Sequence, residues 1–195
     1  MIRVAIAGSH GVGKTTLACS LANHYKDLKV TLNTQIARSL IRKGYPLGKE
    51  ATAESYVQYI IAQLSAEQDS SNCDLFISDR TLLDPLSYAI VNSKTMDSVV
   101  PQSIIEMMKR IWLLELQQYS LYIFVPIEFS MKKDGVRPED DGYRALVEAQ
   151  MKQLLEECHV RYIRVSGAPE DRNAQAVEAI NDLIYKNVCS SITRS

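Results

Sequence analysis

The sequence predicts an α/β domain built on a five-stranded parallel β-sheet. Short apolar runs alternate along the chain with segments in which apolar residues recur at helical spacing. Runs that are almost continuously apolar are typical of parallel strands, because helices cover both faces of such a sheet. The 195 residues contain neither an internal repeat nor a Pro- or Gly-rich linker, so we expect a single domain over residues 1–195.

Five apolar runs predict the strands, and two apolar stripes predict the core faces of helices between them. The strands are expected at VAIA (4–7), VTL (30–32), LFIS (75–78), YIFV (122–125) and YIRV (162–165). The stripes are Val57, Ile60, Ile61 and Leu64, and Ile104, Met107, Met108 and Ile111. Residues 91–103 break the helical pattern and are predicted to form a loop, and residues 189–195 a frayed tail.

Charge and cysteine usage bear on the partners and the compartment. The 22 basic and 23 acidic residues leave a net charge of -1, so no overall field attracts nucleic acid or an anionic membrane. The four cysteines are scattered and form no Cys-x-x-Cys pair, as expected of reduced thiols. The start of the chain lacks signal-peptide features, and no apolar run is long enough to span a bilayer. We therefore expect a cytoplasmic protein without a membrane partner. The charge disfavours a nucleic-acid partner, and a homodimer stays open.

A phosphate-binding loop follows the first predicted strand. In GSHGVGKTT, residues 8–16, the spacing from Gly8 to Gly13-Lys14-Thr15 matches G-x-x-x-x-G-K-[ST] between a strand and a helix. Glycines let backbone N–H groups surround phosphate oxygens, and the helix N-terminus adds positive potential. Lys14 is then expected to bind the β- and γ-phosphates of ATP, and Thr15 to ligate Mg²⁺. The predicted nucleotide-binding residues here are Gly8, His10, Gly11, Val12, Gly13, Lys14, Thr15 and Thr16, with His10 shaping the turn.

Asp79 ends the third predicted strand, where a parallel sheet places its ligand-binding residues. An Asp that caps the following helix is the alternative, and the two roles can coexist. The residue after Asp79 is Arg80, so the adjacent Asp-Glu of motor-type ATPases is absent. The Asn/Thr-Lys-x-Asp segment with which GTPases read guanine is absent as well.

Three segments together resemble a known family. GSHGVGKTT, ISDRTLLDPLSY and DGVRPEDDGYR resemble the P-loop kinase group that includes the nicotinamide riboside kinase domain and AAA-annotated ATP-binding relatives. The Asp-Arg-Thr after the third strand is also similar to the Asp/Glu-Arg-Ser of deoxynucleoside kinases. The resemblance implies a P-loop NTPase three-layer sandwich with strand order 2-3-1-4-5 and a small lid at about 130–145. It also implies transfer of the γ-phosphoryl group of ATP, with Mg²⁺, to a small acceptor.

The resemblance further implies roles for charged residues. Asp79 would contact Mg²⁺ directly or through water, or accept the proton of the acceptor hydroxyl, and Arg80 would hold the acceptor. Arg137 would close over the phosphates from the lid, with Arg144 as a second phosphate-binding arginine, since guanidinium groups bind two phosphate oxygens at once. The alternative is that acidic neighbours pair with these arginines in a solvated loop.

The acceptor side of the predicted site departs from the family pattern. Relatives often place Glu three residues before an Arg after the second strand, and this chain has Gln35 before Arg38. Because an amide cannot take a proton, Asp79 is left as the best candidate base, with Asp84 next, or the activity is reduced. Tyr56, Tyr59 and Gln63 share a second helical face and are predicted to form an acceptor wall, with a tyrosine-rich packing face as the alternative.

These observations predict a cytosolic phosphotransferase with ATP as donor and a nucleoside- or nucleotide-like acceptor. Two other classes stay open. One is a nucleotide-responsive regulator that hydrolyses ATP or GTP slowly, and the other is a kinase that acts on a nucleic-acid end or a modified base.

Overall fold

The structure, a computed structural model, describes residues 1–70, 72–95, 100–129 and 141–192. The strands are β1 (Ile2–Ala7), β2 (Val30–Asn33), β3 (Leu75–Asp79), β4 (Leu121–Phe124) and β5 (Tyr162–Arg164). The helices are α1 (Lys14–His24), α2 (Ile36–Arg42), α3 (Ala53–Asp69), α4 (Leu83–Thr95), α5 (Gln102–Leu116), α6 (Asp141–Glu157) and α7 (Pro169–Ile192), with a short 3₁₀ helix at Gly48–Glu50.

The five strands form one parallel sheet in the order β2-β3-β1-β4-β5. The five predicted strands and the strand order implied by the resemblance are therefore confirmed. The central strand β1 pairs with β3 on one side and β4 on the other, with Ile6 opposite Asp79 and Ala7 opposite Phe124. The strands that follow β1 in sequence are therefore added first on one side of it and later on the other. Open α/β sheets bind ligands at the carboxyl ends of the strands where the strand order reverses in this way.

Helices cover both faces of the sheet, which gives three layers. Side chains of β1 alternate between the two cores: Val4 and Ile6 face α1 and α7, whereas Ala5 and Ala7 face the core formed by α3 to α6. Trp112, Phe124 and Tyr122 are among the largest buried side chains of the second core. Burial on both faces is the reason why the central strands read as unbroken apolar runs.

Two predictions about helices are corrected by the structure. Residues 91–95 belong to α4 and not to a loop, and residues 189–192 are helical in α7 and not part of a tail. The polar residues that suggested a loop are accommodated inside α4: the Ser93 and Thr95 hydroxyls donate to the carbonyls of Ile90 and Val91.

The buried face of α3 matches the predicted one only in part, since Ile60 is buried and Leu64 packs against the core. Ile61 of the predicted stripe is 54% exposed, whereas Tyr56, Tyr59 and Gln63 are 2%, 3% and 0% exposed. The core side of α3 therefore carries two tyrosines and an amide, and the Tyr56 hydroxyl and the Gln63 amide have hydrogen-bond partners inside the protein. The stripe Ile104, Met107, Met108 and Ile111 on α5 does pack against the core. In the described ranges, every helix falls short of the length or apolarity that crossing a bilayer requires.

Candidate active site

The loop between β1 and α1 has the backbone conformation of a phosphate cradle. Gly8, Gly11 and Gly13 all have positive φ, at 148°, 72° and 94°. A Cβ on Gly8 would lie 2.3 Å from the carbonyl oxygen of Val125. Glycine at position 8 is therefore required by close packing against the end of β4 as well as by its φ. Gly13, in the left-handed conformation, is the N-cap of α1.

Lys14 begins α1 and turns its side chain back onto the loop. Its Nζ donates to the carbonyls of Gly8 and Ser9, each at 2.6 Å, and lies 3.9 Å from Oδ1 of Asp84. The side chain is only 3% exposed. The loop thus holds a buried positive charge within its own turn, where a phosphate would experience it with little screening.

Thr15 and Asp79 meet at the carboxyl edge of the sheet. The Thr15 hydroxyl donates to Oδ2 of Asp79, which ends β3 beside β1. Among the described residues, Oδ1 of Asp79 and Oδ2 of Asp84 have no hydrogen-bond partner. At the start of α4, the Thr81 hydroxyl accepts the Leu83 N–H at 3.2 Å.

Asp84 joins this cluster from the first turn of α4. Its Oδ1 pairs with Arg80 Nη1 at 3.3 Å and faces Lys14, although the carboxyl group is 1% exposed. Burial raises the pKa of Asp84 to about 6, while Lys14 and Arg80 act in the opposite direction. The carboxyl group therefore changes its charge close to neutral pH, which suits a general base.

Arg80 has a strained backbone. Its φ is 96°, a conformation that residues other than Gly, Asn and Asp rarely adopt. The Arg80 N–H donates to the Ile6 carbonyl at 3.1 Å, and its carbonyl accepts the Ser78 hydroxyl at 2.6 Å. These bonds fix the turn from β3 into α4 and leave the side chain 24% exposed beside Asp84.

A buried polar network supports that turn from behind. Gln63 Nε2 donates to Glu67 at 2.7 Å and to the Ser78 hydroxyl at 3.4 Å. Glu115 accepts the Leu82 N–H at 3.1 Å, and burial followed by hydrogen bonding to Glu67 raises the pKa of Glu115 well above its usual range. Burial and the neighbouring Glu67 carboxyl group therefore both favour the protonated form of Glu115.

The predicted acceptor wall lies in the interior. Tyr56 accepts a hydrogen bond from Asn92, Tyr59 packs in the core formed by α3 to α6, and Gln63 belongs to the buried network. They form no exposed wall, because their helical face is the one that α3 turns to the core. Gln35 and Arg38 are exposed and line an open depression of about 460 Å³ with Ile41 and Arg42 on α2.

The two predicted phosphate-binding arginines have different outcomes. Arg137 lies outside the described residues, as does the predicted lid up to residue 140. Arg144, at the other end of that segment, is in α6 and fully buried. It donates to the His10 carbonyl at 3.2 Å and pairs with Asp141 at 2.8 Å. Arg144 therefore contacts the phosphate loop itself, and its partner Asp141 is 56% exposed.

Sequence reasoning missed two residues that hold the loop. Tyr88 of α4 accepts the His10 N–H at 3.2 Å and lies 2.9 Å from His10 Nδ1. Arg172 of α7 donates to the Val12 carbonyl at 2.7 Å. Both come from helices remote in sequence from the loop. Tyr88 ends the segment ISDRTLLDPLSY that carries the resemblance, but no role was predicted for it, and no motif marks Arg172.

With this geometry established, comparisons with known proteins identify the family. A family model described as an AAA domain matches residues 3–172. The chain belongs to this AAA domain family. The match runs from β1 into the first turn of α7 and so covers every residue of the cluster around Lys14. A sequence search of curated proteins gave no match for this AAA domain.

Solved structures share the fold of this AAA domain. The NadR protein in complex with NR is 18% identical with a TM-score of 0.71, over 93% of this chain and 51% of that one. Deoxyadenosine kinase from M. mycoides, with dCMP and dCDP, is 16% identical with a TM-score of 0.67, over 93% and 100%. Thymidylate kinase from Candida albicans is 17% identical with a TM-score of 0.63, over 93% and 91%. The chain spans about half the length of NadR. At these identities the likeness shows the P-loop kinase fold.

Proposed function

We propose that this protein transfers the γ-phosphoryl group of ATP to a hydroxyl group of a small nucleoside- or nucleotide-like acceptor in the cytoplasm. One observation carries the proposal. The loop lysine, a strand-end carboxylate and an Asp-Arg pair converge at the carboxyl edge of β1 and β3, through Lys14, Asp79, Asp84 and Arg80. This set supplies groups for both a phosphate donor and a hydroxyl acceptor. The nucleoside and nucleotide kinases that share the fold support the choice of acceptor.

The donor side is formed by the loop and the start of α1. The N–H groups of the loop and the N-terminus of α1 bind the phosphates, and Lys14 exchanges its loop carbonyls for phosphate oxygens. The Thr15 hydroxyl and Asp79, whose buried Oδ1 lacks a partner among the described residues, fit the oxygen ligands that Mg²⁺ takes from proteins. When bound there, Mg²⁺ neutralises charge on the transferring phosphoryl group. The described residues include no group of three or more His, Cys, Asp or Glu that would hold a metal alone.

The acceptor side is formed by the strained turn after β3. Arg80 Nη1 and Asp84 share a contact at 3.3 Å, so Arg80 orients the acceptor while Asp84 accepts the hydroxyl proton. Gln35 cannot take that proton, which leaves the base role to the carboxylates of the cluster. We propose Arg38 and Gln35, on the rim of the depression at α2, as further acceptor contacts. Residues 130–145, with Arg137, are the proposed lid.

A nucleotide-binding regulator that hydrolyses ATP slowly is the main competing function, and an acceptor panel separates the two. ADP release is measured with ATP or GTP as donor across ribonucleosides, deoxynucleosides, their monophosphates and nicotinamide riboside, with Lys14→Ala as the inactive control. The proposed function predicts that one chemical class of acceptor raises ADP release above the acceptor-free rate. A rate that no acceptor changes would contradict it. Oligonucleotides complete the panel, since salt-sensitive binding would identify a kinase that acts on nucleic acid.

A further inference from the structure

Two arginines from different helices each hold one carbonyl of the phosphate loop. Arg144 of α6 donates from Nε to the His10 carbonyl at 3.2 Å, and Arg172 of α7 donates from Nη1 to the Val12 carbonyl at 2.7 Å. Both side chains are buried, at 0% and 6% exposure. We propose that Arg144 and Arg172 are positioning residues that preset two peptide groups of the loop to bind phosphate. The proposal rests on the proposed nucleotide binding but not on phosphoryl transfer.

The planarity of the peptide bond links these contacts to phosphate binding. In a trans peptide, the carbonyl of one residue and the N–H of the next point in opposite directions. Arg144 draws the His10 carbonyl to its own side and so turns the Gly11 N–H away from itself. Arg172 does the same to the Gly13 N–H through the Val12 carbonyl. Each guanidinium group therefore orients one N–H group of the loop and leaves that N–H available to donate a hydrogen bond to phosphate.

The loop needs this support because glycine follows each held carbonyl. Gly11 and Gly13 have φ of 72° and 94°, and glycine reaches many other conformations at little cost. If the loop became ordered only when phosphate binds, the entropy cost of ordering it would lower the affinity for phosphate. Hydrogen bonds from a charged donor are stronger than neutral ones, so two buried guanidinium groups can hold the peptide groups in place before nucleotide binds.

The two arginines are joined by the residues that follow β4. Glu128 pairs with Arg172 Nη2 at 2.5 Å and accepts the Gly167 N–H at 3.0 Å. The Phe129 ring covers the Arg172 guanidinium at 5.6 Å, and the Phe129 carbonyl accepts from Arg144 at 3.5 Å. We call Arg144, Arg172, Glu128 and Phe129 the arginine clamp. Through the arginine clamp, α6, α7 and the segment that follows β4 together hold the phosphate loop.

The clamp also retains hydrogen-bonding capacity and positive charge. Nη2 of Arg144 and Nε of Arg172 have no hydrogen-bond partner among the described residues. Glu128 and Asp141 each offset part of one guanidinium charge. Arg172 is the sharper test of the clamp, because Arg144 is also a predicted phosphate ligand.

The test measures binding of inorganic tripolyphosphate in Mg²⁺ buffer by isothermal titration calorimetry. This probe presents phosphates without base, ribose or acceptor, so the result is independent of transferase activity. Arg172→Ala is expected to weaken tripolyphosphate binding roughly 10-fold, which is the effect of one charged hydrogen bond. Arg172→Lys is expected to fall in between, because an ammonium group lacks the planar fork that serves Val12 and Glu128 together. Arg110→Ala, at an exposed arginine of α5, is the matched control and should bind as wild type does.

A second readout separates positioning from general stability. In the free protein, the amide ¹H–¹⁵N resonance of Gly13 should shift in Arg172→Ala while resonances of the sheet stay in place. A folded Arg172→Ala protein that binds tripolyphosphate as tightly as wild type overturns the proposal. If Arg172→Ala does not fold, wild-type affinity in Arg172→Lys overturns it instead. A wild-type protein that binds neither tripolyphosphate nor ATP would contradict the proposed function itself.

Discussion

The Thr15 hydroxyl donates a hydrogen bond to Oδ2 of Asp79. The two residues meet because β3 lies beside β1, with Asp79 opposite Ile6, so the end of one strand reaches the helix that follows the other. The contact engages one carboxylate oxygen and leaves Oδ1 without a partner among the described residues. Burying a carboxylate oxygen without a hydrogen-bond partner costs folding free energy. The proposed Mg²⁺ site gives this oxygen a ligand role.

Asp79→Asn should reduce phosphoryl transfer by a factor of about 100 or more while ATP still binds. The substitution keeps the shape of the side chain but removes the charge that the metal requires. Steady-state kinetics and ATP titration measure the two effects. Asp182→Asn, at an exposed position of α7, is the control. Wild-type turnover in Asp79→Asn would show that the carboxylate has no role in transfer.

The pH dependence of turnover should report Asp84. Burial raises the pKa of Asp84 to about 6. A base must be deprotonated to act, so kcat/KM, which reports the groups of the free enzyme, should fall as pH drops below about 6. Asp84→Asn should lower kcat and remove that acidic limb. Profiles from pH 5 to 8 for the two proteins make the comparison, and an unchanged limb in Asp84→Asn would assign it to another group.

Arg137→Ala should lower kcat by about 100-fold with a smaller change in ATP affinity, because a lid arginine contacts phosphate mainly in the reacting state. Arg137→Lys should restore part of the loss, since it keeps the charge but not the fork. Steady-state kinetics measure kcat, and protease cleavage within residues 130–145 should fall when an ATP analogue and the acceptor are both bound. Full kcat in Arg137→Ala with unchanged cleavage would contradict the lid.

Glu115→Gln should change how stability depends on pH. Burial and the contact with Glu67 raise the pKa of Glu115 well above its usual range. The proton on Glu115 therefore stabilises the folded protein fully at pH values below the pKa that Glu115 has in the unfolded chain. This contribution to the free energy of unfolding is lost as pH rises towards the higher pKa of Glu115 in the folded protein, at up to about 1.4 kcal/mol per pH unit. Gln keeps an acceptor for the Leu82 N–H and offers Glu67 a permanent donor, so the variant should lose this dependence.

Urea unfolding of wild type and Glu115→Gln at pH 5.5, 6.5 and 7.5 tests the effect. The difference in unfolding free energy between the two proteins should move in favour of Glu115→Gln as pH rises. A difference that stays constant across the three pH values would mean that Glu115 carries no retained proton.

The elements of this fold that local pattern determines were predictable from the sequence. Strands such as Ile2–Ala7 are buried on both faces and so appear as apolar runs, and the loop from Gly8 to Thr16 has a motif whose spacing follows from its chemistry. The meeting of Lys14, Thr15 and Asp79 followed from strand ends sharing one edge of the sheet. These inferences require only neighbours in sequence or in the sheet.

The rest depends on tertiary contacts that local pattern does not encode. Arg80 adopts a φ of 96° because Ser78 and Ile6 hold its backbone. Arg172 reaches Val12 from a helix 160 residues away in sequence. The buried face of α3 was predicted only in part, because Tyr59 and Gln63 pack inward beside Ile60 while Ile61 remains 54% exposed. In each case, packing against segments distant in sequence decides the backbone conformation or the burial.

Transfer of label from ATP that carries a radioactive γ-phosphate measures phosphoryl transfer to the acceptor most directly. The protein is incubated with labelled ATP, Mg²⁺ and the acceptor that most raises ADP release, and the products are separated chromatographically. If the protein is a phosphotransferase, label moves to the acceptor in wild type and stays in ATP in Lys14→Ala. Label that appears only as inorganic phosphate, at the same rate with or without acceptor, would contradict it.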